Sequence, residues 1–190
     1  MLGRSKLMET SYILTMEKEV IDLIGNKDFS ENPLILIYLE IYYLEKRENA
    51  EANFENLKDL LEKYTDNIPL IEKVKIYEYA TNYCVIQINK NNNRLYYAEQ
   101  LLNLYLNGVE QGFLLKNGYL SPWHFKNTVK LGLSLKKYDF TEEFIQKYHK
   151  NLEEEYQEDA LHFNLADLLY RKKIYREAHT HLIQVQYSDL

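Results

Sequence analysis

Five histidines and one cysteine are the residues of this sequence that could bind a metal ion. Cys84 stands alone, so neither a disulfide bond within the chain nor a cysteine-rich zinc site can form. His179 and His181 are two residues apart, and on a helix their side chains would point in directions about 200° apart. His124, His149 and His162 lack the His-x-x-x-His spacing that suits zinc. We therefore expect packing or surface roles for the histidines, and no metal or cofactor.

Acidic residues cluster at Glu153-Glu154-Glu155, and Glu158 and Asp159 follow closely. Catalytic carboxylate pairs need a desolvated, concave site that moves their pKa values apart. An acidic run at the start of a predicted helix is better explained by the helix dipole and by solvation. The sequence also has no glycine-rich phosphate loop and no Gly-x-Ser-x-Gly elbow. These observations predict a protein without catalytic residues.

The composition favours a soluble, helical chain. Of 190 residues 46% are apolar and 27% are charged, while only 6 are glycine and 3 are proline. All-β folds need many turn-forming residues, so this scarcity predicts long helices joined by short connections. The net charge of −6 opposes nucleic-acid binding, which usually requires a positive surface. We see no signal peptide and no apolar run near the roughly 20 residues that span a bilayer, and we expect a cytoplasmic protein.

Helical spacing and helix-start signals predict nine helices and no strand. Proline at the first helical position marks two helix starts, at Pro33 and at Ser121-Pro122. Residues 109–120 are less regular and form a connection. The predicted helices cover residues 5–24, 33–47, 51–64, 69–89, 94–107, 122–137, 140–151, 156–172 and 175–187.

A repeat of 34 residues relates the last four predicted helices. Sliding the sixth and seventh helices by 34 residues superimposes them on the eighth and ninth without a gap. Leu131-Gly132 then falls on Leu165-Ala166, and Phe144 falls on Ala178. Antiparallel helix pairs that repeat in this way stack into a solenoid. The fold class predicted is therefore all-α, an α-α superhelix of about nine antiparallel-packed helices.

The period and the last unit resemble the tetratricopeptide repeat (TPR) family. The residues that carry the resemblance are Leu165, Ala166, Leu169, Tyr175, Ala178, Leu182 and Val185. The Trp of the family is replaced by Thr128 and His162, and its terminal Pro is missing. The resemblance implies a single TPR-like domain over residues 1–190, with irregular hairpins in 1–112 and two clearer repeats in 121–190.

The stretch from Ser121 to Leu190 also resembles a set of uncharacterised bacterial TPR-like proteins, which bring no established activity. The residues that carry this are SPWHFKNTVKLGLSLKKYDFTEEFIQKY and ALHFNLADLLYRKKIYREA. Relatives of this kind generally continue with further helices. The resemblance therefore predicts a fragment or a shortened member, whose final hairpin exposes an apolar face.

Proteins of the TPR kind bind peptides or helices on the concave face lined by the first helix of each pair. This resemblance implies a non-enzymatic protein-interaction module, and a protein or peptide partner. Self-association through the C-terminal hairpin is the alternative, a solvated lysine-rich face is a third reading, and a nucleic-acid-binding repeat is a distant one. The positions carried over to this sequence are Lys126, Val129, Leu133, Lys136, Lys137, Phe163, Asp167, Tyr170 and Arg171.

Overall fold

The computed structural model describes residues 17–25, 29, 32–46 and 50–186. Of these residues 81% are helical, and they form nine α-helices that pack in pairs adjacent in sequence. The all-α prediction is confirmed. Tertiary contacts divide the chain into two units, Met1–Tyr79 and Ala80–Leu190. None of the described helices is both long enough and apolar enough to cross a membrane.

The helices lie close to their predicted bounds. Most of the first predicted helix, residues 5–16, lies outside the described residues, and the last helix ends at Leu182 rather than at 187. Two short 3₁₀ turns, Thr65–Asn67 and His149–Asn151, extend α3 and α7. The helices are α1 (Glu17–Gly25), α2 (Pro33–Lys46), α3 (Ala50–Tyr64), α4 (Leu70–Asn89), α5 (Arg94–Glu110), α6 (Pro122–Ser134), α7 (Tyr138–Tyr148), α8 (Glu154–Arg171) and α9 (Tyr175–Leu182).

A small β-hairpin interrupts the helices, and the prediction of no strand is wrong here. Strands β1 (Leu115–Lys116) and β2 (Tyr119–Leu120) pair antiparallel. Asn117 and Gly118 join them with φ of 54° and 85°. Asn-Gly is the residue pair that a two-residue hairpin turn with left-handed backbone prefers. The hairpin buries Leu120 just before the helix cap at Ser121.

The first unit is organised by α2 and α3, which pack against each other. Each helix buries an apolar stripe at helical spacing, and the six side chains are Ile37, Ile41, Leu44, Phe54, Leu57 and Leu61. The Tyr38 hydroxyl on α2 donates to the Glu72 carboxylate in the first turn of α4. Burial, followed by this hydrogen bond, raises the pKa of Tyr38.

In the second unit α4, α6 and α8 all end in the same hydrogen-bonded turn. A residue with left-handed backbone follows each helix, and the next N–H donates to a carbonyl five residues back. This is the Schellman motif. The left-handed residues are Asn91 (φ 56°), Lys136 (57°) and Lys173 (64°), and the bonds run from Asn92 to Gln87 (3.0 Å), Lys137 to Gly132 (2.9 Å) and Ile174 to Leu169 (2.9 Å). The hairpins α4–α5, α6–α7 and α8–α9 therefore share one turn.

The turn corrects the predicted repeat. The left-handed residues Lys136 and Lys173 are 37 residues apart, and α7 and α9 begin 37 residues apart, at Tyr138 and Tyr175. The gapless 34-residue superposition is therefore wrong across the turn, where Ala178 corresponds to Thr141 rather than to Phe144. The sequence does not reveal this turn because a lysine, Lys136 or Lys173, occupies the left-handed position in both hairpins. A glycine there would have marked the register in the sequence.

The hairpin α6–α7 is closed by a tight contact between Gly132 and Thr141. A Cβ at Gly132 would collide with the Thr141 hydroxyl. Thr141 is fully buried, and its hydroxyl donates to the Lys137 carbonyl at 2.7 Å. The two helices therefore approach as closely as they do because position 132 lacks a side chain.

Gly132→Ala should destabilise the protein by about 1–3 kcal/mol through overpacking. Replacing glycine by alanine in a helix otherwise stabilises a protein by about 1 kcal/mol. A loss of stability in this variant would therefore identify the steric contact with Thr141. Urea unfolding monitored by circular dichroism measures the change. The double variant Gly132→Ala/Thr141→Ala should recover part of the loss, and equal stability of the single and double variants would contradict a steric origin.

Candidate partner-binding faces

Two residues of the predicted concave face belong to the core, and their assignment is wrong. Val129 and Leu133 are only 1% and 2% exposed. They pack in one cluster with Phe144 and Ile145 of α7 and with Leu168 of α8. The reason is that α6 contacts α5, α7 and α8, so three of its sides are covered.

The predicted lysines lie at or near the surface. Lys126 is half-buried, and Lys136 and Lys137 are exposed; Lys130, which is not among the predicted positions, is exposed as well. The Lys137 ammonium lies 3.5 Å from the Glu99 carboxylate of α5. Within the part of the chain that the structure describes, Lys126, Lys130 and Lys136 form no ion pair. These three cations are therefore available to an anionic partner.

The predicted residues on α8 are exposed or partly exposed. The rings of Phe163 and Tyr170 reach solvent, and the Arg171 guanidinium binds the Asp167 carboxylate at 2.9 Å. The same part of the chain contains a residue that the prediction missed. Trp123 is 61% exposed at the start of α6, where its ring meets the edges of His124 and Tyr105. A single tryptophan just after a helix-starting proline was the available signal.

The 37-residue register and the helical spacing of the residues on α6 and α8 together define a first-helix face. In this register Lys126 corresponds to Phe163, and Lys130 corresponds to Asp167. Because α6 and α8 pack against each other, corresponding exposed positions lie on the same side of the pair. The first-helix face consists of Trp123, Lys126 and Lys130 on α6 and Phe163, Asp167 and Arg171 on α8.

A second exposed surface covers the outer side of α8–α9. The Tyr170 and Tyr175 rings meet edge to face across the turn, with centroids 5.5 Å apart. Leu182 and Ile183 are also exposed. The Asp159 carboxylate accepts a 2.8 Å hydrogen bond from the Gln186 N–H, which holds the chain after α9 against α8. We call Tyr170, Tyr175, Leu182 and Ile183 the terminal face.

Two histidines that lie far apart in the sequence meet between α8 and α9. The Nδ1 atoms of His162 and His181 lie 2.9 Å apart, so one ring donates and the other accepts. The Glu158 carboxylate lies 3.6 Å from Nε2 of His162. Burial, and then the neighbouring His162, lower the pKa of His181, while Glu177 acts in the opposite direction. Sequence spacing could not reveal this pair because its two members lie on different helices.

The described residues contain no group of three or more His, Cys, Asp or Glu side chains placed to hold a metal ion. No protein-family model, no curated protein and no solved structure matches this chain. The two exposed faces and the chemistry of their side chains are therefore the features of the described residues that indicate a function.

The His162–His181 contact predicts a stability that depends on pH. The folded state favours neutral His181, so this contribution is complete above the ordinary pKa of 6.5 and is lost as the pH falls through the lowered pKa. The urea midpoint should be lower at pH 5.5 than at pH 7.5, and His181→Gln should reduce this difference.

The matched control for this titration is His179→Gln, on the exposed side of the same helix. It should keep the wild-type pH dependence. Burial also lowers the pKa of His124, so His124 contributes to the pH dependence of the wild-type protein. The contribution of the imidazole pair is therefore taken from the difference between the two variants. If His181→Gln and His179→Gln respond identically to pH, the imidazole pair does not contribute.

Proposed function

We propose that this protein is a non-enzymatic, TPR-like protein-interaction module that binds a peptide segment of a partner protein along the first-helix face. The TPR-like assignment is supported by the repeated hairpins with a common turn. It is further supported by Ala166 and Ala178, two buried small residues spaced as in the family. The observation that carries the binding proposal is the row of Trp123, Lys126 and Lys130 on α6, a helix that packs against the one bearing Phe163.

The charge of the face selects an acidic segment. The chain carries a net charge of −6, yet Lys126 and Lys130 have no carboxylate partner among the described residues. Positive side chains left unpaired in an acidic protein favour encounter with an anionic group and disfavour other partners. Lys136, in the turn after the same helix, is also exposed and forms no ion pair among the described residues.

The aromatic side chains supply apolar contact area. Tryptophan is enriched among the residues whose truncation weakens protein interfaces most. Trp123 and Phe163 are exposed but rest on helices packed into the core, so little conformational entropy is lost when a partner covers them. The expected ligand is an extended or helical peptide in which acidic residues alternate with apolar ones.

Charge reversal on the face should weaken binding without unfolding the chain. We expect Lys126→Glu/Lys130→Glu to weaken binding of a selected acidic-aromatic peptide at least tenfold, because close charge pairs at interfaces are worth at least about 1.4 kcal/mol. The peptide would be selected by display against the wild-type chain, and the affinity would be measured by isothermal titration calorimetry.

The control variant Lys90→Glu/Lys150→Glu changes two exposed lysines elsewhere and has the same net charge. It should retain wild-type affinity. Equal weakening by both variants would reduce the effect to net charge and contradict a defined face. Salt-sensitive binding of single-stranded RNA that depends on Lys126 and Lys130, with no selectable peptide, would instead favour a nucleic-acid module.

A further inference from the structure

Two members of the terminal face correspond to residues that are covered in the preceding hairpin. In the 37-residue register Tyr170 corresponds to Leu133, and Leu182 corresponds to Ile145. Leu133 and Ile145 are 2% and 0% exposed, whereas Tyr170 and Leu182 are 63% and 48% exposed. The difference arises because α8 packs on α6 and α7. In the α6–α7 hairpin this side is covered by α8, whereas in the α8–α9 hairpin the corresponding side is exposed.

The helix that covers the earlier hairpin has a defined chemistry. On α8 the buried residues Ala160, Asn164 and Leu168 follow one another at intervals of four, which places them on one side of the helix. Ala160 and Leu168 share a core cluster with Leu133 and Ile145. The Asn164 amide donates to the Ala160 carbonyl at 2.7 Å, so this polar side chain is paired within its own helix. The small residue at the start of this stripe allows a close approach.

We propose that the terminal face binds one amphipathic α-helix of a partner protein, and that this helix carries a small-polar-leucine stripe like that of α8. The terminal face adjoins the first-helix face on α8, where Tyr170 follows Asp167 by three residues, and it differs from that face in the side chains of α9. The occupant is argued from the contact that already exists within the chain, where α8 binds the corresponding side of α6–α7.

The size of the surface favours one helix over a second copy of the chain. Tyr170, Tyr175, Leu182 and Ile183 are each 48–68% exposed, and together they expose on the order of 500 Å². A stable interface between two globular partners usually needs about 800 Å² from each. The exposed cations Lys173 and Arg176 lie beside the face. They favour acidic residues at the flank of the bound helix.

A peptide copy of α8 tests the proposal directly. The probe is residues 154–171, labelled with fluorescein and held helical by a hydrocarbon staple between positions 154 and 158, both exposed on α8. We expect saturable binding to the full chain in fluorescence anisotropy. The peptide with Leu168→Glu should bind at least tenfold more weakly. In the protein, Leu182→Glu should cause a loss of similar size.

Two control variants test whether binding of the probe requires the terminal face. Leu95→Glu alters another exposed leucine, on α5, and it should leave the affinity for the probe unchanged. Lys126→Glu/Lys130→Glu should also leave it unchanged, so failure here and failure of the first-helix face are distinguishable. The proposal is overturned if both peptides bind alike, or if Leu182→Glu has no effect. It is also overturned if sedimentation shows a dimer that Leu182→Glu dissociates, because the occupant would then be a second copy.

Discussion

In each hairpin of the second unit, the left-handed residue after the first of the two helices determines which side chains of the second helix contact neighbouring helices. Once Lys136 adopts φ of 57°, the chain reverses and α7 starts at Tyr138. That start brings Thr141 beside Gly132 and leaves Leu133 and Ile145 on the side that α8 covers. The same turn at Lys173 fixes α9 against α8 in the same way. A shift of the turn by even one residue would rotate the second helix by about 100° and place other side chains in the contact.

Much of the helical framework was predictable because its signals are local. Pro33 begins α2, and Ser121 caps α6 by accepting the His124 N–H at 3.2 Å. Such signals depend only on residues within one turn of a helix. The β-hairpin also had a local signal, Asn117-Gly118, but its strands of two residues are too short to show alternation.

The sides of the helices were harder to predict, because burial depends on three neighbours at once. Family positions carried over at 34 residues predict a surface location for Val129 and Leu133, whereas both are buried because α5, α7 and α8 all contact α6. On α8 the pair Leu165-Ala166 lies within the same hairpin as the predicted positions and sets their register directly. Phe163 and Tyr170 were therefore placed on exposed sides.

The two faces differ in how much free energy it costs the unbound protein to expose them to water. Lysines beside a tryptophan are well solvated without a partner, so the first-helix face costs the free protein little. The terminal face is more apolar, yet two of its four members are tyrosines, and Tyr170 stands where the covered hairpin has Leu133. A tyrosine hydroxyl remains hydrated while the ring offers contact area, which suits a surface that is alternately exposed and covered. Leu182 and Ile183 have no polar group that water can solvate. Their exposure is therefore the stronger physical reason for a partner at this end of the second unit.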